Sequence, residues 1–424
     1  MSTSRNDRRL ITRRALDLVT ESMSAFRVVV LHGARQVGKT TLARLVAADL
    51  GASYVTFDRL EDREPAERDP RTFVEVANGP LVVDEVQRVG EPIVLALKES
   101  VDSDDRPGRY LLTGSTNFLT VPSIAETLAG RVDIVQLWPL SMGELTGGSD
   151  DFVDRAFGSP HDLLHHEPPV LDRTQYMELL CAGGYPEAQR LAERTRRRWF
   201  TRYVQTVLQR EIELATDIRR VDALRDMVRY FAATTAQELV LSTVAERLKI
   251  DRATVQHYEP WLETVFLVHR VPAWSRNLTA KVVKRPKLYL TDCGVAAALL
   301  GKDPAALGRP TEPSTGPLFE TFVANELAKQ LTWAETSARL FHFRDAGGAE
   351  VDLIVEADDG RVLALEVKAS ATPRSEDFKG LALLRDRLDR SGGEFVGGIV
   401  VYTGDRRRSY GDRLLALPAS DIWT

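Results

Sequence analysis

The chain contains very little cysteine and no long apolar segment. Only two cysteines, Cys181 and Cys293, occur among its 424 residues, and they form neither a C-x-x-C pair nor a spacing suited to zinc. Isolated cysteines of this kind are typical of the reducing cytoplasm. No apolar run approaches the ~20 residues that cross a bilayer, and the basic N-terminal segment lacks the apolar core of a secretory signal. We therefore expect a soluble, cytoplasmic protein without membrane contact.

A general excess of positive charge is also absent. The formal net charge is −5, while 43% of the residues are hydrophobic and 28% are charged. This composition is that of a globular protein with a buried core, and it excludes a uniformly basic surface for nucleic acids. Any contact with DNA or RNA must therefore be local. The length suggests two or three domains.

Apolar runs that alternate with helical segments dominate the first third of the chain. Between Phe26 and Leu140, runs such as "FRVVVLHG", "GPLVVDEV" and "RYLLTGST" are followed by helical segments. Strands of this type belong to parallel sheets that helices cover on both faces. The predicted fold class is therefore α/β.

The segment "GARQVGKT" directly follows the first of these strands and opens a helix. It matches G-x-x-x-x-G-K-[ST], a loop whose backbone N–H groups surround phosphates at a helix N-terminus. Lys39 is expected to reach the β and γ phosphates of ATP, and the Thr40 hydroxyl to ligate Mg²⁺. The residues predicted to bind the nucleotide are Gly33, Ala34, Arg35, Gln36, Val37, Gly38, Lys39, Thr40 and Thr41.

A second motif, "LVVDE", supplies the acids that such a site needs. Four residues lead to the end of a strand, where Asp84 is predicted to hold Mg²⁺ together with its water shell. Glu85 is then placed to orient or deprotonate the attacking water. Because a P-loop precedes it in the chain, the acid pair is interpreted as part of the same site.

Two further segments are candidates for contact with the γ-phosphate. The strand "RYLLTGSTN" ends in small polar residues, of which Ser115 and Asn117 are predicted to contact phosphate or water. A turn of small polar residues is an equally good interpretation. Arg131 in "LAGR" is a candidate for stabilising transition-state charge, within its own chain or across the boundary of a homo-oligomer. A surface arginine is the alternative.

Taken together, "LHGARQVGKTTLA", "LVVDEVQRV", "YLLTGSTNFL" and "LWPLSMGE" resemble the AAA-type ATPase domain of prokaryotic proteins that carry a second, long-uncharacterised C-terminal domain. The resemblance extends to "GGYPEA" and to the C-terminal half of the chain. It implies a P-loop sheet with an additional strand, together with bound ATP and Mg²⁺. It implies no physiological substrate.

A helix-turn-helix pattern occurs in "LSTVAERLKIDRATVQHYEPWLE". Ser242 is predicted to cap the first helix, and the second helix begins at Arg252 and exposes polar residues of the kind that enter a major groove. Pro260 should end or kink this helix. The alternative is a packed winged-helix linker that contacts no nucleic acid, which is also how this region looks in the family.

Two basic stretches, "RTRRRWFTRY" and "KVVKRPK", are candidates for contact with phosphates. The first interleaves arginines with Trp199, Phe200 and Tyr203, a mixture suited to stacking on bases. A helix with one solvated face and one buried aromatic face is the alternative.

The hairpin sequence "EVDLIVEADDGRVLALEVKAS" places charged residues where strands normally carry apolar ones. A three-residue loop at Asp358–Gly360 sets Asp352 opposite Glu366, with Lys368 on the same face. Like charges across strands destabilise a sheet. A divalent cation such as Mg²⁺ or Mn²⁺ would turn that repulsion into ligation.

This arrangement resembles the core of PD-(D/E)xK nucleases, in which an acid on one strand precedes an "EVK" segment on the next. The resemblance implies that Asp352 and Glu366 are metal ligands, that Lys368 is catalytic and that the preceding helix supplies Glu320, with Glu326 as second choice. The alternative is a degenerate nuclease domain that only binds.

The sequence as a whole predicts four regions and one function. The regions are an AAA-type P-loop ATPase domain at 1–145, a helical connecting region at 146–220, a winged-helix-like domain at 221–300 and a nuclease-like domain at 301–424. We expect Mg²⁺-dependent ATP hydrolysis coupled to a nuclease-like domain that acts on or binds nucleic acid, most simply DNA. The alternative is an ATP-driven switch whose C-terminal domain is catalytically inactive.

Overall fold

The structure is a computed structural model that describes residues 10–76, 79–114, 130–166, 169–214, 221–275, 285–345 and 347–424. Within these ranges, no helix is both long enough and apolar enough to span a membrane.

Five parallel strands form the sheet of the N-terminal region. They are β1 (Val28–His32), β2 (Ser53–Thr56), β3 (Leu81–Asp84), β4 (Tyr110–Gly114) and β5 (Val132–Gln136), in the spatial order β2-β3-β4-β1-β5. The predicted additional strand is therefore β4, which lies between β1 and β3.

Both faces of this sheet are covered. Successive residues of β1 belong to two different cores: Val29 and Leu31 pack on one side, and Val28 and Val30 on the other. Side chains alternate along a strand, so a strand that is apolar throughout fits only a sheet buried on both faces. The covering helices are α1 (Ala15–Ala25), α2 (Lys39–Leu50), α3 (Leu60–Arg68), α4 (Pro70–Glu75) and α5 (Glu91–Ser103). The predicted α/β fold class is confirmed.

A helical region follows the sheet, as predicted. Its helices are α6 (Met142–Thr146), α7 (Phe152–Gly158), α8 (Arg173–Ala182), α9 (Pro186–Gln189) and α10 (Glu193–Leu214). The "GGYPEA" segment between α8 and α9 is packed too tightly for larger residues: a Cβ on Gly184 would lie 2.3 Å from the Leu140 carbonyl oxygen. The Gly184 N–H also donates to the buried Asp292 carboxylate at 2.6 Å. These contacts join the helical region to the segment just after β5 and to Asp292, more than a hundred residues further along the chain.

Three helices and a small antiparallel sheet come next. They are α11 (Val221–Ala233), α12 (Leu241–Leu248) and α13 (Arg252–Thr264), with β6 (Gln237–Glu238), β7 (Val268–Val271) and β8 (Lys287–Leu290) in the order β6-β8-β7. The cap of α12 is Val240, and Ser242 lies inside the first turn, so the predicted cap was wrong. Pro260 does not end α13, which continues to Thr264 with Tyr258 and Leu262 buried on either side of the proline.

The C-terminal region combines three helices with a six-stranded mixed sheet. After α14 (Cys293–Leu299), α15 (Pro304–Leu307) and α16 (Thr315–Gln330) come β9 (Ala338–Arg344), β10 (Glu350–Ala357), β11 (Val362–Lys368), α17 (Lys379–Arg390), β12 (Phe395–Tyr402), β13 (Arg408–Ser409) and β14 (Leu414–Pro418). Short 3₁₀ turns occur at Val86–Arg88, Pro160–His165, Ser375–Phe378 and Ala419–Ile422. The sheet order is β13-β14-β12-β11-β10-β9.

The predicted hairpin of β10 and β11 is present. The Ala357 N–H donates to the Arg361 carbonyl at 2.9 Å, which closes a three-residue loop. Leu353 pairs with Leu365 in antiparallel register. The same register, extended by one residue, sets Asp352 opposite Glu366, as the sequence predicts.

Candidate functional site

The P-loop connects β1 to α2 in a conformation that requires glycine. Gly38 has a φ of 105° and Gly33 a φ of 149°, both in the region that side chains disfavour. A Cβ on Gly33 would lie 2.2 Å from the Leu137 carbonyl oxygen. The loop therefore folds tightly over the carboxyl end of the sheet, with the N-terminus of α2 facing the space above it.

Lys39 and Thr40 occupy the positions that the motif predicts. The Lys39 ammonium is buried and donates to the carbonyls of Gly33 and Ala34, each at 2.8 Å. The Thr40 hydroxyl lies 3.0 and 3.1 Å from the two carboxylate oxygens of Asp84. The structure thus brings together the two P-loop side chains and the acid of β3.

The Asp84 carboxylate is buried and held by hydroxyl groups. Besides Thr40, the hydroxyls of Tyr54 and Thr113 donate to it at 3.0 and 2.5 Å. A hydroxyl and a carboxylate are hard oxygen donors, which is the set that Mg²⁺ prefers. The residues present therefore fit a magnesium ion between Thr40 and Asp84.

Thr113 was missed by the sequence interpretation. Its hydroxyl contacts Asp84 and also accepts the Glu85 N–H at 3.1 Å. Thr113 is the first polar residue of "TGSTN", so the polar end of β4 indicated a site residue here. The residues that were predicted lie two and four positions later. Ser115 and Asn117 lie outside the described residues.

Glu85 has a left-handed backbone, with a φ of 59°, at the point where β3 ends. Its carboxylate accepts the side-chain amide of Gln87. It lines the same cavity as the P-loop. A non-glycine residue in this region costs free energy, and such residues cluster at functional sites.

His32 precedes the P-loop at the end of β1. Burial, and then the charge of Lys39, lower the pKa of His32 to about 4. The imidazole is therefore neutral at physiological pH, and the positive charge beneath the phosphates belongs to Lys39.

Helix α10 forms the opposite wall of a cavity of about 920 Å³ over the P-loop. The basic stretch that the sequence offered for contact with nucleic acid supplies this wall. Arg198 and Arg202 are exposed and line the cavity, four residues apart on one helical face. The helical spacing was the signal in the sequence, but only the fold shows that this face is turned towards the P-loop.

Aromatic residues of α10 line the same wall. The rings of Trp199 and Tyr203 stack at 5.3 Å with an interplanar angle of 9°. The Tyr203 hydroxyl donates to the carbonyl of Arg35 in the P-loop at 3.1 Å. The wall is thus tied to the loop by a hydrogen bond. The aromatic residues are packed together, as in the alternative interpretation of this stretch.

Arg131 lies at the wrong end of the sheet for a catalytic role in its own chain. It immediately precedes β5, whose first residue, Val132, pairs with Val28 at the start of β1. The P-loop follows the other end of β1. Arg131 and the P-loop are therefore separated by the length of this strand, roughly 15 Å at ~3.3 Å per residue. The Arg131 guanidinium forms an ion pair with Asp102 at 2.5 Å. The prediction of a role within the same chain is therefore corrected.

A lysine lies among the acids that the sequence assigned to a C-terminal metal. The Lys287 ammonium, on β8, is 2.8 Å from Glu320, 3.3 Å from Glu350 and 3.5 Å from Asp352. Only 3% of the side chain is exposed. The sequence offered the stretch that ends in Lys287 for contact with phosphates, but this side chain is buried and pairs with three carboxylates.

Electrostatics support this arrangement as an ion cluster. Burial lowers the pKa of Lys287, but the carboxylates of Glu320, Asp352 and Glu350 outweigh burial and raise it overall. Burial, and then the charge of Asp352, raise the pKa of Glu320 to about 8. Glu320 also accepts the Tyr289 hydroxyl at 2.7 Å. One ammonium thus neutralises part of the repulsion between acids that the hairpin sequence implies.

Glu366 and Lys368 pair with each other on β11 at 2.6 Å. Asp352 accepts the Val367 N–H at 2.9 Å. Burial, and then Asp352, raise the pKa of Glu366 to about 7. Across the part of the chain that the structure describes, no three His, Cys, Asp or Glu side chains are grouped to hold a metal. The interpretation of Glu320, Asp352 and Glu366 as ligands of Mg²⁺ or Mn²⁺ is therefore not supported, since Lys287 pairs with Glu320 and Asp352, and Lys368 pairs with Glu366.

Glu326, the second choice for an auxiliary acid, has a different role. It is 1% exposed, pairs with Lys329 at 2.5 Å and accepts the Met142 N–H at 2.8 Å. It therefore binds the end of the N-terminal region rather than the hairpin.

Three family models match successive parts of the chain, and the second of them spans the helical region, the small antiparallel sheet and helix α14. Residues 25–146 match an AAA domain, residues 173–306 match a domain of unknown function (DUF8612), and residues 315–422 match a second domain of unknown function (DUF4143). The N-terminal region is therefore an AAA-type P-loop ATPase domain, as the sequence predicts. The nuclease-like identity of the C-terminal region is not confirmed.

Two curated mycobacterial proteins resemble the chain over most of its length. They are the uncharacterized protein Mb2031c of Mycobacterium bovis and the uncharacterized protein Rv2008c of Mycobacterium tuberculosis. Each is 29% identical over 402 residues, covering 94% of this chain and 81% of its own length.

Solved structures resemble the chain more distantly. The Walker-type ATPase PABY2304 of Pyrococcus abyssi is 16% identical, with a TM-score of 0.42 over 70% of this chain and 98% of its own. The RuvB Holliday junction branch migration motor of Thermotoga maritima is 18% identical, with a TM-score of 0.31 over 62% of this chain and 90% of its own.

Proposed function

We propose that the chain binds ATP with Mg²⁺ at the P-loop and hydrolyses it with Glu85 as the residue that orients or deprotonates the attacking water. The observation that carries this proposal is the contact between the Thr40 hydroxyl and the Asp84 carboxylate at 3.0 Å, directly beside the buried Lys39. Three side chains with these chemistries converge above the carboxyl ends of β1 and β3, where nucleotide sites of parallel sheets lie.

Each residue has a distinct role in this proposal. The backbone N–H groups at residues 33–41 face the phosphates, and Lys39 exchanges its carbonyl partners for phosphate oxygens. Thr40 and Asp84 would hold Mg²⁺, which supplies charge neutralisation at the phosphates when bound. Thr113 fixes the orientation of Asp84 and the backbone of Glu85 through two hydrogen bonds. Arg198 and Arg202 approach the nucleotide from the α10 wall.

ATP hydrolysis by the purified chain across a range of Mg²⁺ concentrations tests this proposal. We expect hydrolysis that depends on Mg²⁺ and that is lost in Lys39→Ala and Thr40→Ala. Lys98→Ala on α5, outside the cavity lining, is the matched lysine control and should keep wild-type activity. Unchanged hydrolysis in Lys39→Ala would overturn the assignment.

For the C-terminal region, the favoured function is that of a non-cleaving module whose state follows the ATPase cycle. The supporting observation is Lys287, whose ammonium lies among the acids that a nuclease would use for a metal. This ammonium pairs with acids that would ligate a divalent cation, so no cleavage step is derived. The four regions predicted from the sequence, with boundaries at 145, 220 and 300, are retained in this proposal.

Nuclease assays on single-stranded and double-stranded DNA and on RNA, with Mg²⁺ or Mn²⁺ and with or without ATP, test this second part. We expect no cleavage by the wild type beyond that of Glu366→Ala and Lys368→Ala variants. Cleavage by the wild type that both variants lose would restore the nuclease assignment.

DNA contact through a winged-helix region is a further candidate. After a turn at Lys249, which has a φ of 53°, helix α13 presents Arg252, Gln256 and His257 to solvent. These exposed side chains at the start of the second helix suit the major groove. Binding of a fluorescent duplex at rising salt, compared between the wild type and Arg252→Ala, measures this contact. Identical affinities at every salt concentration would remove the candidate.

A further inference from the structure

The N-terminal segment places a buried arginine against the back of the P-loop. The Arg13 guanidinium donates to the Val37 carbonyl at 2.6 Å and to the Trp138 carbonyl at 2.7 Å. Only 8% of the residue is exposed. Val37 belongs to the loop itself, and Trp138 follows β5, so one side chain fixes the loop relative to the sheet.

The third contact of Arg13 leads to a helix cap. Its Nε donates to the Glu144 carboxylate at 3.0 Å, and the same oxygen accepts the Arg14 N–H at 2.7 Å. The other oxygen of Glu144 accepts the Ser141 N–H at 3.0 Å, which closes the capping box of α6. Glu144 is 1% exposed, so this carboxylate is fully committed to protein donors.

The same cap is bound from the other side by the C-terminal region. Two residues of α16 contact it: Glu326 accepts the Met142 N–H at 2.8 Å, and Lys329 donates to the Leu140 carbonyl at 3.0 Å. Glu326 and Lys329 form a buried ion pair with each other. A series of hydrogen bonds therefore runs from α16 to the backbone of residues 140–142, from there to Glu144 in the α6 cap, and on to Arg13 and the P-loop.

We propose that Arg13 is a positioning residue for the P-loop and that, through Glu144, it couples the loop to helix α16 of the C-terminal region. This inference rests on the proposed ATP binding and deepens it, since it names the contact by which the C-terminal region senses the nucleotide. Occupation of the loop by phosphate changes the surroundings of the Val37 carbonyl, and the guanidinium transmits the change to the cap. A shift of α16 acts on the loop by the same route.

The physical basis is the low exposure of every member. Charge-assisted hydrogen bonds in a buried setting are strong, and leaving one partner unpaired is costly, so these groups move together or not at all. Hydrogen-bond networks whose elements have two discrete arrangements carry coupling between distant sites.

The test compares Arg13→Ala with Arg155→Ala in the full chain. Arg155 is a matched control because its Nε also pairs with a carboxylate, Asp151, and its Nη2 also donates to two carbonyls, those of Asp421 and Thr424. We expect Arg13→Ala to weaken ATP binding by about tenfold or more, as the loss of charge-assisted bonds implies, and Arg155→Ala to bind like the wild type. Methylguanidinium should restore binding to Arg13→Ala only, which a general loss of stability would not explain.

Arg13→Lys serves if the alanine variant does not fold, because lysine keeps a positive charge but lacks the planar fork whose separate nitrogens reach Glu144, Val37 and Trp138. If the wild type binds ATP and either folded Arg13 variant binds it with the same affinity, this inference is wrong while the proposed function stands. A wild type that binds no ATP would remove the proposed function and this inference together.

The link to α16 is tested by the paired variant Glu326→Gln/Lys329→Met, which removes the ion pair without leaving a lone charge. We expect it to change ATP affinity in the wild-type background and to add little to Arg13→Ala, because contacts in one network are not additive. Fully additive effects on ATP affinity would contradict the coupling.

Discussion

Lys287 and Glu320 form a buried ion pair, 2.8 Å long, between strand β8 of the small antiparallel sheet and helix α16 of the C-terminal region. The ammonium also faces Asp352 and Glu350 on β10. The Lys287 ammonium therefore neutralises part of the negative charge that the hairpin carries at Asp352, and it joins two regions of the chain. Removal of one partner from a buried pair leaves an uncompensated charge, whereas a pair replaced as a unit costs little.

Lys287→Met should lower the free energy of unfolding by about 3–5 kcal/mol at pH 8, because the carboxylates of Glu320 and Asp352, which are largely buried, then lose their cation and repel one another and the exposed Glu350. Urea unfolding followed by circular dichroism measures this. Lys302→Met, which breaks the outer ion pair with Glu312 at 2.9 Å, is the control and should change stability little. Equal stability of Lys287→Met and the wild type would contradict the assigned ion cluster.

The C-terminal acids show where prediction from sequence stops. The hairpin register, the three-residue loop and the pairing of Asp352 with Glu366 follow from alternation along two adjacent strands, so the sequence predicts them. The partner that neutralises the acids is a lysine 33 residues before Glu320, from a stretch that otherwise has a basic, solvated composition. Local patterns do not show which distant cation the fold brings to a cluster.

The nucleotide site was predictable for the opposite reason. The P-loop is a local unit of strand, loop and helix, and Asp84 ends β3, a parallel strand of the same sheet, so their meeting beyond the carboxyl ends of the strands follows from topology. The prediction for Arg131 was wrong because this residue precedes its strand, whereas the P-loop follows β1, and the two ends of parallel strands lie on opposite sides of the sheet. The positions of helix α10 and Arg13 beside the P-loop were not predicted, since these contacts depend on how separate elements pack.

Glu85→Gln should bind ATP with an affinity within a few-fold of the wild type and lose about 10²–10⁴-fold in kcat, because glutamine cannot accept the proton of the attacking water. Isothermal titration and a phosphate-release assay separate the two quantities. Glu187→Gln alters the acid on the opposite wall of the same cavity, and it should leave kcat within a few-fold. A comparable loss of kcat in both variants would mean that Glu85 acts only through the charge of the cavity.

Gly183→Ala should destabilise the chain more than Gly301→Ala. Gly183 has a φ of 63° with a ψ of −166°, a combination that is essentially restricted to glycine, and Gly301 has a φ of 67°. A Cβ on Gly183 would lie 2.4 Å from Asp292, whereas a Cβ on Gly301 meets nothing within 4 Å. The additional cost at Gly183 should be about 1–3 kcal/mol, as for other overpacked sites. Thermal unfolding at matched concentration measures the difference, and equal losses would contradict the packing and backbone costs assigned to Gly183.

Asp150 predicts a pH dependence of stability that one substitution should remove. Burial first, and then the charges of Glu326 and Glu144, raise the pKa of Asp150 from 3.8 to about 7, while donors from Ser141 and Gly143 partly oppose them. Between these two pKa values the folded chain binds more protons than the unfolded chain. Its stability therefore falls as the pH rises from about 4 to about 7 and is level above that range.

Asp150→Asn keeps the shape of the side chain, the hydrogen bond from Gly143 and the left-handed backbone that asparagine tolerates. The variant should be as stable as the wild type near pH 4 and should gain on it up to pH 7, by on the order of 4 kcal/mol at most. Urea unfolding of both chains at pH 5, 6, 7 and 8 measures this gain. The difference between the two chains isolates Asp150, because histidines and other acids titrate alike in both. A constant difference across the four pH values would show that the Asp150 carboxylate stays ionised in the fold. The neighbouring Arg14, 3.8 Å away, would then be the charge that holds it so.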